Sequence, residues 1–241
     1  SKKITDALEK RFGLIPSSKV RDNVETETSK VDIDRGNIKE LVTSVVRTVL
    51  KHYRFCSLGE LNTILSAYNL AVEEVKTEFR RKNYDGLVYV PTDDKGNKAG
   101  TPIHASDIGR GVGYTAVQNR MQRSKQAIKT LISIIRYRVL QTMRTSPKTE
   151  ENLLQRLEEQ GLRVVIRKNE SGRIYGITFI DDKEGIALNG SRLGKGYAAN
   201  VFNAYLSNPT HNPFLDETLY GSTYVHFEQS PTVQSSQQNT E

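Results

Sequence analysis

Hydrophobic residues recur with two different periods along the chain, and the alternation between them predicts its elements. Ile4, Leu8 and Phe12 fall at i, i+4 and i+8, which predicts a short N-terminal helix over residues 1–12, ended by Gly13 with Pro16 just beyond. Residues 17–36 are polar and lack a clear period, so they read as a linker. Ile38, Leu41, Val42, Val45, Val46, Val49 and Tyr53 then form one helical stripe. Its β-branched residues lower the intrinsic helix propensity, so packing of the stripe must stabilise it.

Beyond this helix the same order of features occurs twice. Ser57-Leu58-Gly59-Glu60 is a capping-box signature, in which Ser and Glu satisfy each other's free amides. Leu61, Ile64 and Leu65 continue that helix to Asn69, a residue tolerant of the left-handed conformation. The second helix opens at Thr149 and runs through Leu153, Leu154 and Leu157 to Gly161. Strand-like segments follow at 70–75 and 162–167, then Asp85-Gly86-Leu87-Val88-Tyr89 beside Tyr175-Gly176-Ile177-Thr178-Phe179. Acidic turns come next, Asp93-Asp94-Lys95-Gly96 and Asp181-Asp182-Lys183-Glu184-Gly185. The tightest match is Ala105-Ser106-Asp107-Ile108-Gly109-Arg110-Gly111 with Gly190-Ser191-Arg192-Leu193-Gly194-Lys195-Gly196. The expectation is an α+β protein of two tandem repeated α-β-β-β-α units, about residues 55–125 and 147–206.

Val117, Met121, Ile128, Ile132, Ile135 and Val139 keep to one face and predict a single long helix over 115–143 joining the units. As domains, the chain divides into an N-terminal helix and linker (1–36), a first unit with the long helix (37–146), a second unit (147–206) and a disordered tail (207–241), the last for its Gln-rich, aperiodic composition.

Charge adds a functional direction. The net charge is +7, and all 35 Lys and Arg precede residue 207. Residues 108–149 contain no acid but nine cations: Arg110, Arg120, Arg123, Lys125, Lys129, Arg136, Arg138, Arg144 and Lys148. Such a run suits a phosphate backbone or an acidic protein surface, although a charge run is often only a solvated face. Tyr114 and Tyr137 lie among the cations, too few to indicate a base-stacking platform.

The paired Ser-x-x-Gly-basic-Gly segments allow two readings. Ser106 and Ser191 could cap helices whose open amides hold an anion beside Arg110 or Lys195, or they could be caps with no ligand at all. A nucleotide P-loop does not fit: Gly190 to Gly194-Lys195 is one residue short, and Gly196 stands where Ser or Thr would hold magnesium. No cofactor is expected in this chain. His52, His104, His211 and His226 are scattered, and Cys56 has no His-plus-acid constellation assignable to it. The single cysteine fits a reducing, cytoplasmic setting, and no window approaches the ~20 apolar residues of a membrane span.

The run Gly172-Arg173-Ile174-Tyr175-Gly176-Ile177-Thr178-Phe179-Ile180-Asp181, with 188–195 and 199–203, resembles the region C-terminal to the nuclease core in mobilisation relaxases of conjugative elements. So do 84–89, 93–96 with 100–103, and 108–110 with Gly113-Tyr114, while the opening 4–14 resembles the helix that closes that core. In that family a tyrosine, aided by a divalent metal on a histidine cluster, nicks one strand at a transfer origin and stays attached to the 5′ end. The resemblance places those groups upstream of the helix that opens this chain, so it implies a piece without catalytic residues, the metal belonging to the missing nuclease core. The implied partners are origin-of-transfer DNA, chiefly single-stranded, with an auxiliary mobilisation protein or the secretion channel's coupling ATPase as alternatives. The residues expected to meet DNA are Ser106, Arg110, Arg120, Arg123, Lys125, Lys129, Arg136, Arg138, Ser191, Arg192 and Lys195. A self-sufficient nuclease built on other acids is a third reading.

Overall fold

In the computed structural model, residues 29–216 are described apart from Arg35, Arg80 and Arg81. The helix expected over 1–12, most of the expected linker and residues 217–241 lie outside the described residues. The fold is α+β, with two three-stranded antiparallel sheets. By contact the chain divides into one unit of residues up to 51 together with 65–112, and a second of 52–64 together with 113 onward.

Unit 1 opens with Val31, buried and tied through its N–H to the Tyr68 carbonyl at 2.9 Å, so the polar linker already belongs to the fold at this point. Helix α1 (Ile38–His52) buries Val42, Val45, Val46, Val49 and Leu50, close to the expected stripe. The 3₁₀ turn Ser66–Tyr68 ends on Asn69 at φ 56°, the left-handed position its sequence suggested. Strands β1 (Leu70–Phe79) and β2 (Lys82–Pro91) pair from Leu70↔Pro91 to Phe79↔Lys82, and β3 (Ile103–His104) adds to β2. The turn after β2 is closed by Asp93, whose carboxylate accepts from the backbone N–H groups of Lys95 and Asn97, a local role for the acid. A four-residue helix, α3 (Ala105–Ile108), completes the unit and stops at Gly109, φ 117°.

Unit 2 contains residues assigned by sequence to the first repeat. Helix α2 (Leu58–Leu65), except for Leu65, belongs here. Arg54 bridges β6 (Ile186–Asn189) in parallel, its N–H donating to the Gly185 carbonyl at 2.8 Å and its carbonyl accepting from Ala187. The capping box forms only in half. The Glu60 N–H donates to Ser57 Oγ at 3.2 Å, whereas the Glu60 carboxylate, fully buried, turns to Cys56 N–H (2.6 Å), Asn189 N–H (2.9 Å) and Arg192 Nε (2.8 Å). Tertiary demand for an acceptor has outcompeted the local cap.

The expected long helix over 115–143 is two helices, α4 (Tyr114–Ala127) and α5 (Lys129–Arg144), parted at the buried Ile128. No Pro or Gly marks this break in the sequence, which is why periodicity missed it. Nor is α5 a connector. Its Ile135, Val139, Leu140 and Met143 form the unit 2 core with Leu153, Leu157, Phe179, Leu188 and Phe202. Helix α6 (Glu150–Glu159) starts as expected at Thr149, whose hydroxyl accepts from Asn152 N–H. Strands β4 (Arg163–Lys168), β5 (Ile174–Asp181) and β6 follow, then α7 (Gly190–Leu193), the 3₁₀ turn Lys195–Tyr197 and α8 (Ala199–Ser207).

The expected disordered tail does not begin at 207. Asn212 caps a 3₁₀ turn over Pro213–Leu215, and Phe214 is fully buried with its ring centroid 5.2 Å from that of Phe202. Composition hid this anchor, because one aromatic among polar residues raises no periodic signal. Among the described residues no helix is long and apolar enough to cross a membrane.

Candidate nucleic-acid interface

The glycine segments do not form the anion clasp that their sequence allowed. Helices α3 and α7 are single turns of four residues, and Ser106 and Ser191 lie inside them. The N-cap residues are His104 and Asn189, neither with a side-chain cap. The glycines come at the other end: Gly109 (φ 117°, ψ −157°) and Gly194 (φ 131°, ψ 167°) terminate the turns, in a region essentially closed to L side chains. Their N–H groups donate back to the Ala105 and Ser191 carbonyls, so neither amide is open to a ligand. Each turn therefore presents carbonyls, and each receives an arginine. In unit 1, Arg47 of α1 donates to the Ile108 carbonyl at 3.1 Å; in unit 2, Arg136 of α5 donates to the Leu193 carbonyl.

The eleven residues expected to meet DNA sort by environment. Arg136 is engaged by the Leu193 carbonyl, Arg138 by the buried Asp181 carboxylate at 2.7 Å, and Arg192 by the buried Glu60. Arg138 and Arg192 serve buried acids that would otherwise be uncompensated. In unit 1, Ser106 and Arg110 are exposed. In unit 2, Ser191, Lys195, Arg123, Lys125 and Lys129 are exposed and Arg120 is half-buried. Arg123 and Lys125 lie on α4 and Lys129 opens α5, so these solvent-facing cations are close along the chain, with Lys125 and Lys129 on one flank and Arg123 on the other.

A second feature of unit 2 escaped the sequence reading. A cleft of about 450 Å³ lies at the end of the β4–β5 hairpin, lined among others by Arg167, Asn169, Arg173, Tyr175, Ser191 and Asn200. No Asp or Glu lines it. The register slips here: Arg167 pairs with Gly176 but Lys168 with Ile174, which leaves Tyr175 as the extra residue of a β-bulge. Tyr175 is 63% exposed and lines the cleft. Gly176 makes room for Arg167. A Cβ there would fall 2.7 Å from Arg167 Nε and 3.2 Å from Nη2, so a larger residue would push this flexible guanidinium off the strand. Arg167 Nε is buried and has no hydrogen-bond partner. The N-terminus of α8 borders the same space through Ala198, Ala199 and Asn200, and Ala198 as N-cap offers its first amides no side-chain acceptor.

A mid-strand glycine was the one available signal, since it often marks a bulge or a close approach. It stood in the Tyr175–Phe179 match, but without the register nothing linked it to Arg167. Cys56 is buried, and burial pushes its thiol up, as expected of an inert cysteine. Among the described residues no group of three or more His, Cys, Asp or Glu is placed to hold a metal ion. Compared with known proteins, the chain matches no family model, no curated protein and no solved structure.

Proposed function

We propose that this chain is the DNA-associated part of a mobilisation relaxase, C-terminal to the nuclease core, which holds origin-of-transfer DNA while residues elsewhere in the parent protein nick it. The observation that carries this reading is the solvent-facing group Arg123, Lys125 and Lys129, set within 42 residues that contain no acid. With no carboxylate near in sequence to neutralise them, these cations give a sustained positive field of the kind a polyanion displaces counterions to meet. Arg136, Arg138 and Arg192 leave the proposed DNA-contacting set, because a buried acceptor already claims each of them.

We further infer that the two sheets descend from one repeated unit, which begins a helix earlier than the sequence match suggested. Ser44-Val45-Val46-Arg47 in α1 and Ser133-Ile134-Ile135-Arg136 in α5 share one pattern, and the two arginines close the same carbonyl position before Gly109 and Gly194.

Anisotropy titrations of a labelled single-stranded oligonucleotide at several salt concentrations test the DNA reading. The expected result is a steep loss of affinity with salt, with a log–log slope made shallower by about 2 when Arg123, Lys125 and Lys129 are all changed to Gln, at ~0.7 per phosphate contact. Absence of oligonucleotide binding, with capture of the coupling ATPase or auxiliary protein lost in the same variant, would make the chain a protein-interaction module instead.

A further inference from the structure

The cleft at the end of the β4–β5 hairpin has the parts of a nucleotide seat, and none of them is explained by the core. Tyr175 is the extra residue of a bulge and stands 63% exposed, outside the core. Arg167 lines the cleft with its guanidinium folded over Gly176, whose missing side chain leaves room for it. Arg173 adds a second guanidinium, its backbone fixed by Asn169, whose side-chain oxygen accepts from Arg173 N–H at 2.9 Å. The α8 N-terminus adds uncapped amides and the positive end of a nine-residue helix dipole. The remaining polar lining is neutral, with amides and hydroxyls such as Asn200 and Ser191 that can meet a base edge or a sugar.

We propose that this cleft seats one nucleotide of a single DNA strand, the base stacked on Tyr175 and the phosphate held by Arg167, Arg173 and the first amides of α8. The inference rests on the DNA-associated reading and deepens it by naming the strand form and the contact. An aromatic face exposed beside guanidinium groups, with no acid on the wall, fits an unpaired base on a phosphodiester. A duplex keeps its base faces stacked and could offer the ring only an edge. The cleft volume lies within the range of small-ligand sites. The first sheet lacks the device: its equivalent positions are Asp85 for Tyr175 and Val75 for Arg167, and Val75 pairs with Gly86 without a bulge.

The chain contains no tryptophan, so Tyr175→Trp installs its single indole, excited selectively over the tyrosines, at an exposed position. Oligothymidylate is expected to quench it saturably, while inorganic phosphate alone leaves it bright. Anisotropy with the same oligonucleotide should show about a tenfold loss of affinity in Tyr175→Ala, little change in Tyr175→Phe, and a salt slope shallower by about 0.7 in Arg173→Gln. Oligonucleotide binding that weakens in the Arg123, Lys125 and Lys129 triple variant, but neither quenches the introduced indole nor responds to Tyr175→Ala, would overturn the nucleotide seat and leave the DNA-associated reading standing. Quenching by phosphate with none from the oligonucleotide would make the cleft a simple anion site and overturn it too. No oligonucleotide binding by the wild-type chain, even at low salt, would remove both.

Discussion

Arg123 and Arg138 belong to one acid-free stretch and are indistinguishable in composition, yet they have opposite surroundings. Arg123 is exposed on α4, while Arg138 reaches Asp181, a carboxylate only 2% exposed that also accepts from the N–H groups of Lys183 and Glu184. Removing Arg138 leaves that buried charge without its partner, which is costly, whereas removing Arg123 only alters a solvated surface. Arg138→Gln is therefore expected to lower stability by about 3 kcal/mol in urea unfolding, and Arg123→Gln by no more than about 0.5 kcal/mol. DNA affinity should order the two variants the other way. Equal stability losses would show that the Asp181 pair carries no special weight. Glu60 illustrates the same competition: the sequence offers it to Ser57, and the fold uses it on Cys56, Asn189 and Arg192.

At the scale of elements, glycine decides more than charge does. Ala105 and Gly190 occupy matching positions at the start of α3 and α7, but their surroundings differ. A Cβ at Gly190 would collide with the Tyr197 carbonyl oxygen and fall 2.7 Å from Ile177 Cγ2, because the 3₁₀ turn Lys195–Tyr197 folds back over α7. Neither obstacle is a flexible side-chain end that can swing aside. Gly190→Ala is expected to cost about 3 kcal/mol, read as a shift of the urea midpoint. A near-neutral effect would mean that the turn over α7 is loosely held. The bulge at Tyr175 belongs to this scale as well, since the register slip there makes Tyr175 an extra residue that a regular strand would have paired.

Over the whole molecule, segments distant in sequence complete a core that no local pattern outlines. Residues 52–64 join unit 2, and so does Phe214, whose ring lies against Phe202, Tyr197 and Tyr205. Truncating a fully buried phenylalanine removes its transfer energy and leaves a cavity. Phe214→Ala should destabilise the chain by about 3–5 kcal/mol, with the loss visible in thermal unfolding. A tail without structure at this position would tolerate the change freely.

Much of the architecture could be read from the chain alone, because period-2 and period-3.6 patterns, turn acids and obligatory glycines are local consequences of backbone geometry. The stripe of α1, the Thr149 cap, left-handed Asn69 and the hairpin strands of both sheets all follow from neighbours within about four residues. The candidate site was legible only in part. Residue types announced a basic surface, but which cations stay in water depends on where Asp181, Glu60 and the Leu193 carbonyl are buried. The cleft around Tyr175 was decided by strand register and by the packing of α8 against β5. Register and burial are set by the lowest free energy of the assembled unit, in which each polar group must find a partner in three dimensions, and no sequence window holds that sum.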